Sequence, residues 1–154
     1  MFAVMALKLI VSAFPEGGMI PPKYTCNGEN VSPAIEWSGA PANAKSFALI
    51  LDDPDAPGGL FTHWLLWNIP ASSHSLSENF KASGHETAGE NDFGKRGYGG
   101  PCPPSGTHRY YFRLYALDVP SVSIKPGARR ANIDRAIHGH IVEQAEYMGK
   151  YSKK

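Results

Sequence analysis

The chain has 154 residues and a mass of 16.7 kDa, enough for one domain with a buried core and short for two. Hydrophobic residues make up 42% and charged residues 19%, which excludes a disordered chain. Lys and Arg (15) nearly balance Asp and Glu (14), so the net charge of +1 does not provide the basic field that binds nucleic acids or anionic membranes. We therefore expect a single domain over residues 1–154, with no nucleic-acid partner and no stable membrane insertion.

The N-terminal segment is not typical of a signal peptide. No basic residue precedes its apolar stretch, and Lys8 interrupts that stretch, while Met5 is an alternative start. No apolar run approaches the ~18 residues that a membrane span needs. We expect a cytoplasmic protein in which Cys26 and Cys102 are reduced thiols by default, although the sequence leaves open whether they pair.

The pattern of apolar residues predicts a mainly β protein. In chain order, the strand candidates are residues 7–14, 35–37, 46–51, 63–69, 108–117 and 122–124. Residues 20–33 and 71–106 are rich in Gly, Pro and Ser and are predicted loops. A loop as long as the second is usually functional when it lies inside a compact domain.

Only the C-terminal segment has helical periodicity. Asn132 is a suitable N-cap, and Gly139 is unfavourable inside the helix that would follow. The helical spacing is carried by four apolar residues, Ile133, Ile137, Ile141 and Met148. We therefore predict an antiparallel Greek-key β-sandwich with a C-terminal helix that begins near Asn132.

The predicted strand 46–51 is followed by an acidic motif, Asp-Pro-Asp-Ala-Pro at residues 53–57. Each proline pushes the preceding residue toward extended backbone, so Asp53 is expected at a fixed place at the mouth of the sheet. The alternative is an ordinary acidic turn, because Asp and Pro are common turn residues. Since the chain must reverse tightly to bring His63 back near Asp53, we predict a cis Ala56–Pro57 bond, a form found at ~5% of X–Pro bonds.

His63 begins the next predicted strand. The linker that separates it from the aspartates is short, so His63 cannot lie far from Asp53. Strand alternation predicts a shared face for four residues, His63, Leu65, Trp67 and Ile69. The alternative to a functional His63 is a histidine that only packs in the core.

A third motif runs from Gly99 to Tyr110 and combines a Gly-Pro loop with the start of a strand. The backbone N–H groups of such a loop can bind an anion. His108 and Tyr110 are two residues apart on the strand, so both side chains should point to the same face beside the loop. The alternative is a rigid connector followed by an aromatic core strand.

Together these motifs resemble the signature of the phosphatidylethanolamine-binding proteins, also called Raf kinase inhibitor-like proteins. The resemblance is carried by residues 53–57, His63 and 100–110, and it extends to 30–33 (Asn-Val-Ser-Pro) and 92–95 (Asp-Phe-Gly-Lys). It covers nearly the whole chain in order, and the short form without a C-terminal extension is similar to bacterial and archaeal members. It implies two antiparallel sheets and a small anion pocket near the strand ends.

Carried over residue by residue, the resemblance implies a pocket formed by Asp53, Asp55, His63, the backbone of Gly100 and Pro101, His108 and Tyr110. Its ligand would be a phosphate-like anion or a zwitterionic phosphoethanolamine-type head group, with no cofactor and no metal. A kinase or a protease is the implied protein partner, and a homodimer is an open alternative. The linker Gly58 to Thr62 is shorter than in animal members, and Cys102 replaces a proline, so the rim of the pocket differs from the animal pattern.

A hydrolytic or metal-dependent enzyme is the alternative function. Asp53 with His63 and His108 could supply general acid–base chemistry or a two-His-one-carboxylate metal site. We expect a binding protein instead, because the sequence offers no nucleophile with a clear partner.

Overall fold

Strands dominate residues 6–154, the part of the chain that the structure, a computed structural model, describes. The absence of a signal peptide and the alternative start at Met5 concern residues that lie partly or wholly outside this range. The elements in chain order are β1 (Lys8–Val11), a single 3-10 turn (Pro22–Tyr24), β2 (Ile35–Ser38), β3 (Ser46–Asp53), β4 (Phe61–Pro70), β5 (Ser75–Leu76), β6 (Thr87–Ala88), β7 (Thr107–Leu117), α1 (Arg130–Ile137) and β8 (Ile141–Ser152).

The strands form two antiparallel sheets. The smaller sheet has the order β1-β2-β5 and the larger one the order β6-β4-β3-β7-β8. The main apolar core lies between them and contains Trp37 of the smaller sheet and Phe47, Trp64 and Phe112 of the larger one. This arrangement confirms the predicted mainly β fold with two antiparallel sheets.

A second apolar cluster covers the outer face of the larger sheet. Here Ile133 and Ile137 of α1 pack on Ile50 and Trp67. Since β3 therefore has a core on each side, all eight of its residues are buried, which explains its continuous apolar run. No helix in residues 6–154 has both the length and the apolar character to cross a membrane.

The C-terminal segment contains a shorter helix than the sequence predicts. Helix α1 ends at Ile137, and Gly139 has a φ of 83°, a conformation that favours glycine and ends the helix. Residues 141–152 then form β8, which pairs with β7 along its whole length. The predicted continuation of the helix to Met148 is wrong, because sheet pairing overrides a weak helical pattern.

The helix begins near Asn132, as predicted, but Asn132 is not its N-cap. Arg129, not Asn132, is the N-cap residue, and Asn132 lies three positions later. The side-chain oxygen of Asn132 accepts a hydrogen bond from the backbone N–H of Arg129 at 3.0 Å. Asn132 therefore supports the helix start from inside the first turn.

The predicted strands at 35–37, 46–51, 63–69 and 108–117 are confirmed, whereas the one predicted at 7–14 is shortened to β1 and residues 122–124 are not a strand. The side chain of Asn68 accepts a hydrogen bond from the N–H of Val122 at 2.8 Å and donates to its carbonyl at 3.4 Å. A side chain thus takes the hydrogen bonds that a neighbouring strand would otherwise supply, so this segment stays a loop. The predicted loop 71–106 contains only the two-residue strands β5 and β6.

Strand β4 loses its regular alternation at His63. Trp64 pairs with Leu51 of β3 and Thr62 pairs with the next residue of β3, Asp52. His63 therefore has no partner in β3 and is an extra residue in β4. Such a β-bulge bends the strand and redirects a side chain. A second shift lies near Asn68, which has a φ of 56°.

The bulge overturns the prediction that four residues of segment 63–69 share one face. The ring of His63 lies 5.3 Å from the ring of Tyr110, a member of the core between the sheets. Leu65 and Trp67 instead pack on the outer face, under α1. Strict alternation would have placed His63 on that outer face, away from Tyr110.

Cys26 and Cys102 form a disulfide with Cα atoms 5.5 Å apart. The expectation of reduced thiols is therefore wrong, since a sequence separation of 76 residues gave no sign of this proximity. Two hydrogen bonds lie beside the cross-link: Cys26 N–H donates to the Pro101 carbonyl at 3.1 Å, and the Tyr98 hydroxyl donates to the Tyr24 carbonyl at 2.6 Å. Together they join the loop after the 3-10 turn to the segment that precedes β7.

Candidate functional site

A pocket of about 270 Å³ opens where β3 ends and where β4 and β7 begin. Because β3 runs antiparallel to both neighbours, its last residue and the first residues of the other two strands meet at one end of the sheet. The pocket is lined by Asp53, Ala56, Pro57, Phe61, His63, Phe93, Cys102, Pro103, Pro104, His108 and Tyr110.

Asp53 and His108 form a buried pair in this pocket. The two side chains lie on adjacent strands, and Oδ2 of Asp53 is 2.6 Å from Nδ1 of His108. Because a carboxylate accepts hydrogen bonds, we assign the ring hydrogen to Nδ1 of His108. Asp53 thereby fixes the orientation of the ring, and Nε2 of His108 has no hydrogen-bond partner in residues 6–154.

His63 is held in the same way by a backbone carbonyl. Its Nδ1 donates to the carbonyl of Gly99 at 2.7 Å, and its side chain is almost completely buried. Burial lowers the pKa of His63 below its ordinary value, against the opposing effect of the Gly99 carbonyl. The ring is therefore neutral at neutral pH, and its Nε2 is a hydrogen-bond acceptor without a partner in the described chain.

Tyr110 supplies a hydroxyl group to the pocket. Its side chain is fully buried, and the hydroxyl oxygen makes no hydrogen bond within residues 6–154. Burial raises the pKa of Tyr110 well above its ordinary value, so the group stays protonated and able to donate. A buried polar atom without a partner is costly, and a ligand in the pocket would supply one.

Asp55, predicted from the resemblance to line the pocket, points elsewhere. Its carboxylate accepts hydrogen bonds from the Arg109 side chain at 2.8 and 2.9 Å, and Arg109 lowers the pKa of Asp55 to about 2. The Asp55 N–H donates to Oδ1 of Asp53 at 2.7 Å. Asp55 therefore connects the turn after β3 to β7 and acts on the pocket through Asp53.

The turn after β3 does not contain the predicted cis bond. No peptide bond within residues 6–154 is cis. The chain reverses instead through the hydrogen bond from Asp55 to Asp53 and a second one from the Gly59 N–H to the Ala56 carbonyl at 3.0 Å. Gly59 has a φ of 105°, which lets the backbone turn with trans bonds throughout.

Gly100 and Pro101 lie behind the pocket wall and do not line the pocket. The N–H of Gly100 donates to the side-chain oxygen of Asn30 at 2.9 Å, and Pro101 has no N–H to offer. The predicted anion cradle of backbone N–H groups is therefore not formed by these two residues. Gly100 is required for packing, because a Cβ there would collide with the Tyr24 carbonyl and with Asn30.

The aromatic wall of the pocket was not predicted from the sequence. The Phe61 and Phe93 rings lie 4.8 Å apart edge to face, and both contact the His63 ring. Phe93 belongs to the segment 92–95, which was quoted for the resemblance without a role in the site. A Cβ at Gly99 would lie 2.5 Å from the Phe93 ring, so glycine at this position makes room for the wall.

The loop that carries Phe93 is fixed from both sides. Asp92 accepts hydrogen bonds from the Thr62 N–H at 2.7 Å and from Arg129 at 3.0 Å. Asn91 accepts from the Phe93 N–H at 2.9 Å. The wall is therefore preorganised by polar contacts to β4 and to the start of α1.

Among the described residues, no group of three or more His, Cys, Asp and Glu side chains is arranged to hold a metal ion. Asp53 and His108 are already bonded to each other, and Nδ1 of His63 is bonded to a carbonyl. The pocket therefore offers two free imidazole nitrogens and a hydroxyl, a set that suits hydrogen bonding to a small polar ligand.

The pocket residues lie inside a recognised sequence profile. The profile of the phosphatidylethanolamine-binding protein family matches residues 11–152, nearly the whole chain. The chain belongs to the phosphatidylethanolamine-binding protein (PEBP) family. The resemblance drawn from the sequence motifs is thereby confirmed.

Relatives and solved structures of the PEBP fold agree with this assignment. The UPF0098 protein of Methanothermobacter thermautotrophicus is 48% identical over 151 residues, which cover 96% of this chain and 99% of that protein. The crystal structure of a PEBP homolog, CT736 from Chlamydia trachomatis, is 41% identical with a TM-score of 0.90, covering 97% of this chain and 99% of that one. Escherichia coli YbcL is 31% identical with a TM-score of 0.90, covering 96% and 99%.

Proposed function

We propose that this PEBP-family protein binds a small phosphate-bearing ligand in the pocket between β3, β4 and β7. The proposal depends on three side chains that are almost completely buried, those of His63, His108 and Tyr110. Each has a polar atom that makes no hydrogen bond to the described chain. Buried polar groups normally have partners, so their convergence in one pocket indicates a ligand that supplies them.

The size and chemistry of the pocket favour a small head group. Its volume of about 270 Å³ lies just below the usual range for small-molecule sites, roughly 300–1,000 Å³. Phosphate oxygens accept hydrogen bonds, and Tyr110 donates at all ordinary pH values. The Phe61 and Phe93 rings offer an apolar wall to the carbon chain that joins a phosphate to an amine or an alcohol.

A zwitterionic ligand such as phosphoethanolamine has an anionic group for the hydrogen-bond donors of the pocket and a cationic group for the Asp53 carboxylate. Asp53 is buried in the pocket wall and would repel a fully ionised phosphate placed directly against it. An ammonium group placed there would instead be attracted, and it could also donate to a neutral imidazole. We therefore propose free phosphoethanolamine and similar zwitterionic phosphomonoesters as the ligand class, with inorganic phosphate as a weaker ligand.

Calorimetric titration of phosphoethanolamine into wild-type protein and the His63→Ala and His108→Ala variants tests this proposal. Each variant should lose a hydrogen bond to a charged ligand, which costs ~1.5–3 kcal/mol or roughly tenfold or more in affinity. His140→Ala is the matched control, because His140 also pairs with an aspartate, Asp118 at 2.9 Å, at the opposite end of β7.

The control variant should bind phosphoethanolamine as the wild type does. Melting temperatures of all variants should be measured alongside, so that a loss of binding is separated from a loss of folding. If both pocket variants bind with unchanged affinity, the site is misassigned, and a protein-interaction role without a small ligand takes its place.

The enzyme alternative is favoured by one observation, the Asp53–His108 pair at 2.6 Å. A carboxylate that orients a histidine is the arrangement of many general acid–base sites. We nevertheless propose binding, because no serine, threonine or free thiol among residues 6–154 lines the pocket to act as a nucleophile. The wild type and the His108→Ala variant should be tested for release of p-nitrophenol from its phosphate and acetate esters. Hydrolysis by the wild type that is abolished in the variant would show that the protein is an enzyme.

Partners and location belong to the same proposal. A kinase or protease partner is tested by pull-down from the native host, and a homodimer is tested by size-exclusion chromatography with light scattering.

We propose a cytoplasmic location, and the Cys26–Cys102 disulfide is the observation against it, since the cytosol usually keeps thiols reduced. Titration of free thiols in protein isolated from the host decides whether the disulfide exists there.

A further inference from the structure

The pocket has an unusual balance of hydrogen-bond donors and acceptors. Nδ1 of both His63 and His108 is committed as a donor, to the Gly99 carbonyl at 2.7 Å and to Asp53 at 2.6 Å. In a neutral imidazole the other nitrogen, Nε2, is then an acceptor. The two histidines of the anion pocket, in their neutral forms, therefore present lone pairs to the ligand and no N–H.

The backbone around the pocket adds few donors. Three of the five residues in segment 100–104 are prolines, which have no N–H, and the N–H of Gly100 is bonded to Asn30. Among the lining residues, the amide of Ala56 and the hydroxyl of Tyr110 remain unbonded to the described chain, while the Cys102 N–H faces the Tyr110 oxygen. A phosphate with two full negative charges accepts hydrogen bonds at every oxygen. The pocket therefore has too few hydrogen-bond donors for such a dianion.

We propose, on the basis of the phosphate-binding function above, that the pocket binds phosphomonoesters together with a proton and discriminates against phosphodiesters. A monoester carrying one proton donates its P–OH to Nε2 of His63 and accepts from Tyr110 with its other oxygens. A diester has no such proton and leaves the His63 nitrogen facing a phosphate oxygen. The same hydrogen bond forms if the proton moves to the ring, so the binding reaction takes up a proton in either case.

The groups that face His63 agree with a neutral ring in the unliganded pocket. Burial lowers the pKa of His63, while the carboxylates of Asp53 on β3 and Asp92 in the loop before β7 act in the opposite direction. His108 and Tyr110 face the ring from β7, and Phe61 and Phe93 complete its surroundings without charge. Bringing an anion close to this ring raises its affinity for a proton, which links ligand binding to proton uptake.

Calorimetry with methyl phosphate and dimethyl phosphate tests the inference, because both are small and only the first can carry a proton. At about pH 8, titrations in two buffers of different ionisation enthalpy measure the number of protons taken up per ligand bound. We expect close to one proton for methyl phosphate and a fall in its affinity of about tenfold per pH unit between about pH 7 and about pH 9. At about pH 6 dimethyl phosphate should bind at least about tenfold more weakly than methyl phosphate.

The His63→Gln variant provides a second readout. An amide nitrogen can donate to the ligand where the ring nitrogen accepted, so proton uptake should decrease and the affinity of methyl phosphate should depend less on pH. Binding of methyl phosphate without proton uptake, or equal binding of dimethyl phosphate, overturns the inference while leaving the proposed function intact. Failure of the wild type to bind any phosphate overturns both.

Discussion

Asp53 has two structural tasks before any ligand arrives. One carboxylate oxygen accepts from the backbone of Asp55 at 2.7 Å and holds the turn, and the other accepts from His108 at 2.6 Å and orients the ring. Its burial makes both bonds strong and makes their loss costly. Asp53 is therefore a positioning group for the pocket, and in the proposed function it also contacts the cationic part of the ligand.

Replacing Asp53 by Asn separates these tasks. The amide oxygen keeps the bond to Asp55, while the amide nitrogen faces His108 and turns Nε2 of that ring into an N–H donor. Inorganic phosphate should therefore bind to Asp53→Asn as well as to the wild type or better. Phosphoethanolamine should bind more weakly, by roughly tenfold or more, because the attraction between Asp53 and the ammonium group is removed.

Calorimetry with both ligands on one protein preparation measures this reversal. Equal losses for the two ligands would show that the substitution damages the pocket generally, and the assignment of Asp53 to the ammonium side would then be withdrawn. The variant's melting temperature provides the control for folding.

At the scale of elements, the pocket depends on irregularities. The β-bulge at His63 places this ring beside Tyr110, and the segment 98–102 is joined to the loop after the 3-10 turn by the Cys26–Cys102 disulfide. Both cysteines are exposed, and Cys102 lines the pocket. The irregular segments are therefore the parts of the fold whose changes should affect the ligand.

Removal of the disulfide should lower stability more than it lowers ligand affinity. It closes a sequence separation of 76 residues, for which chain-entropy arguments give a stabilisation of ~4.5 kcal/mol. The hydrogen bonds from Cys26 to Pro101 and from Tyr98 to Tyr24 connect the same two segments and do not need the cross-link. We expect the Cys26→Ser/Cys102→Ser variant to unfold at lower urea concentration and to bind phosphoethanolamine within about threefold of the wild type.

Chemical unfolding with and without a reducing agent measures the first effect, and calorimetry measures the second. The double variant should show no further change on addition of reductant, which serves as the control. An unchanged unfolding midpoint in reduced wild-type protein would contradict the stabilising role of the cross-link.

At the scale of the whole molecule, the sequence predicted the regular parts and missed the irregular ones. Residues 46–51 and 108–117 were identified as strands because their composition matches a buried sheet, and the spacing of His108 and Tyr110 correctly placed both on one face. The orientation of His63 could not be predicted, because a bulge depends on the register between two strands. Likewise, the C-terminal segment became β8 because the free edge of β7 offered pairing that no local pattern contains.

The candidate site was predicted in its polar residues and not in its surroundings. Asp53, His63, His108 and Tyr110 do meet in one pocket, whereas Asp55 and Gly100 have their hydrogen-bonding groups occupied by Arg109 and Asn30. Partners of this kind come from distant parts of the chain, so no spacing reveals them. The aromatic wall was missed for the same reason, although the family signature at residues 92–95 contains Phe93.

NMR of the imidazole nitrogens shows whether His63 and His108 share one phosphate-bearing ligand. Long-range ¹H–¹⁵N spectra of uniformly labelled protein resolve Nδ1 and Nε2 of each ring and report their protonation. Phosphoethanolamine should shift the Nε2 signals of both rings along one saturating curve, while Nδ1 of each ring keeps its hydrogen and the His140 signals do not move. Unchanged His63 and His108 signals at millimolar ligand, or shifts that follow two different curves, would contradict it.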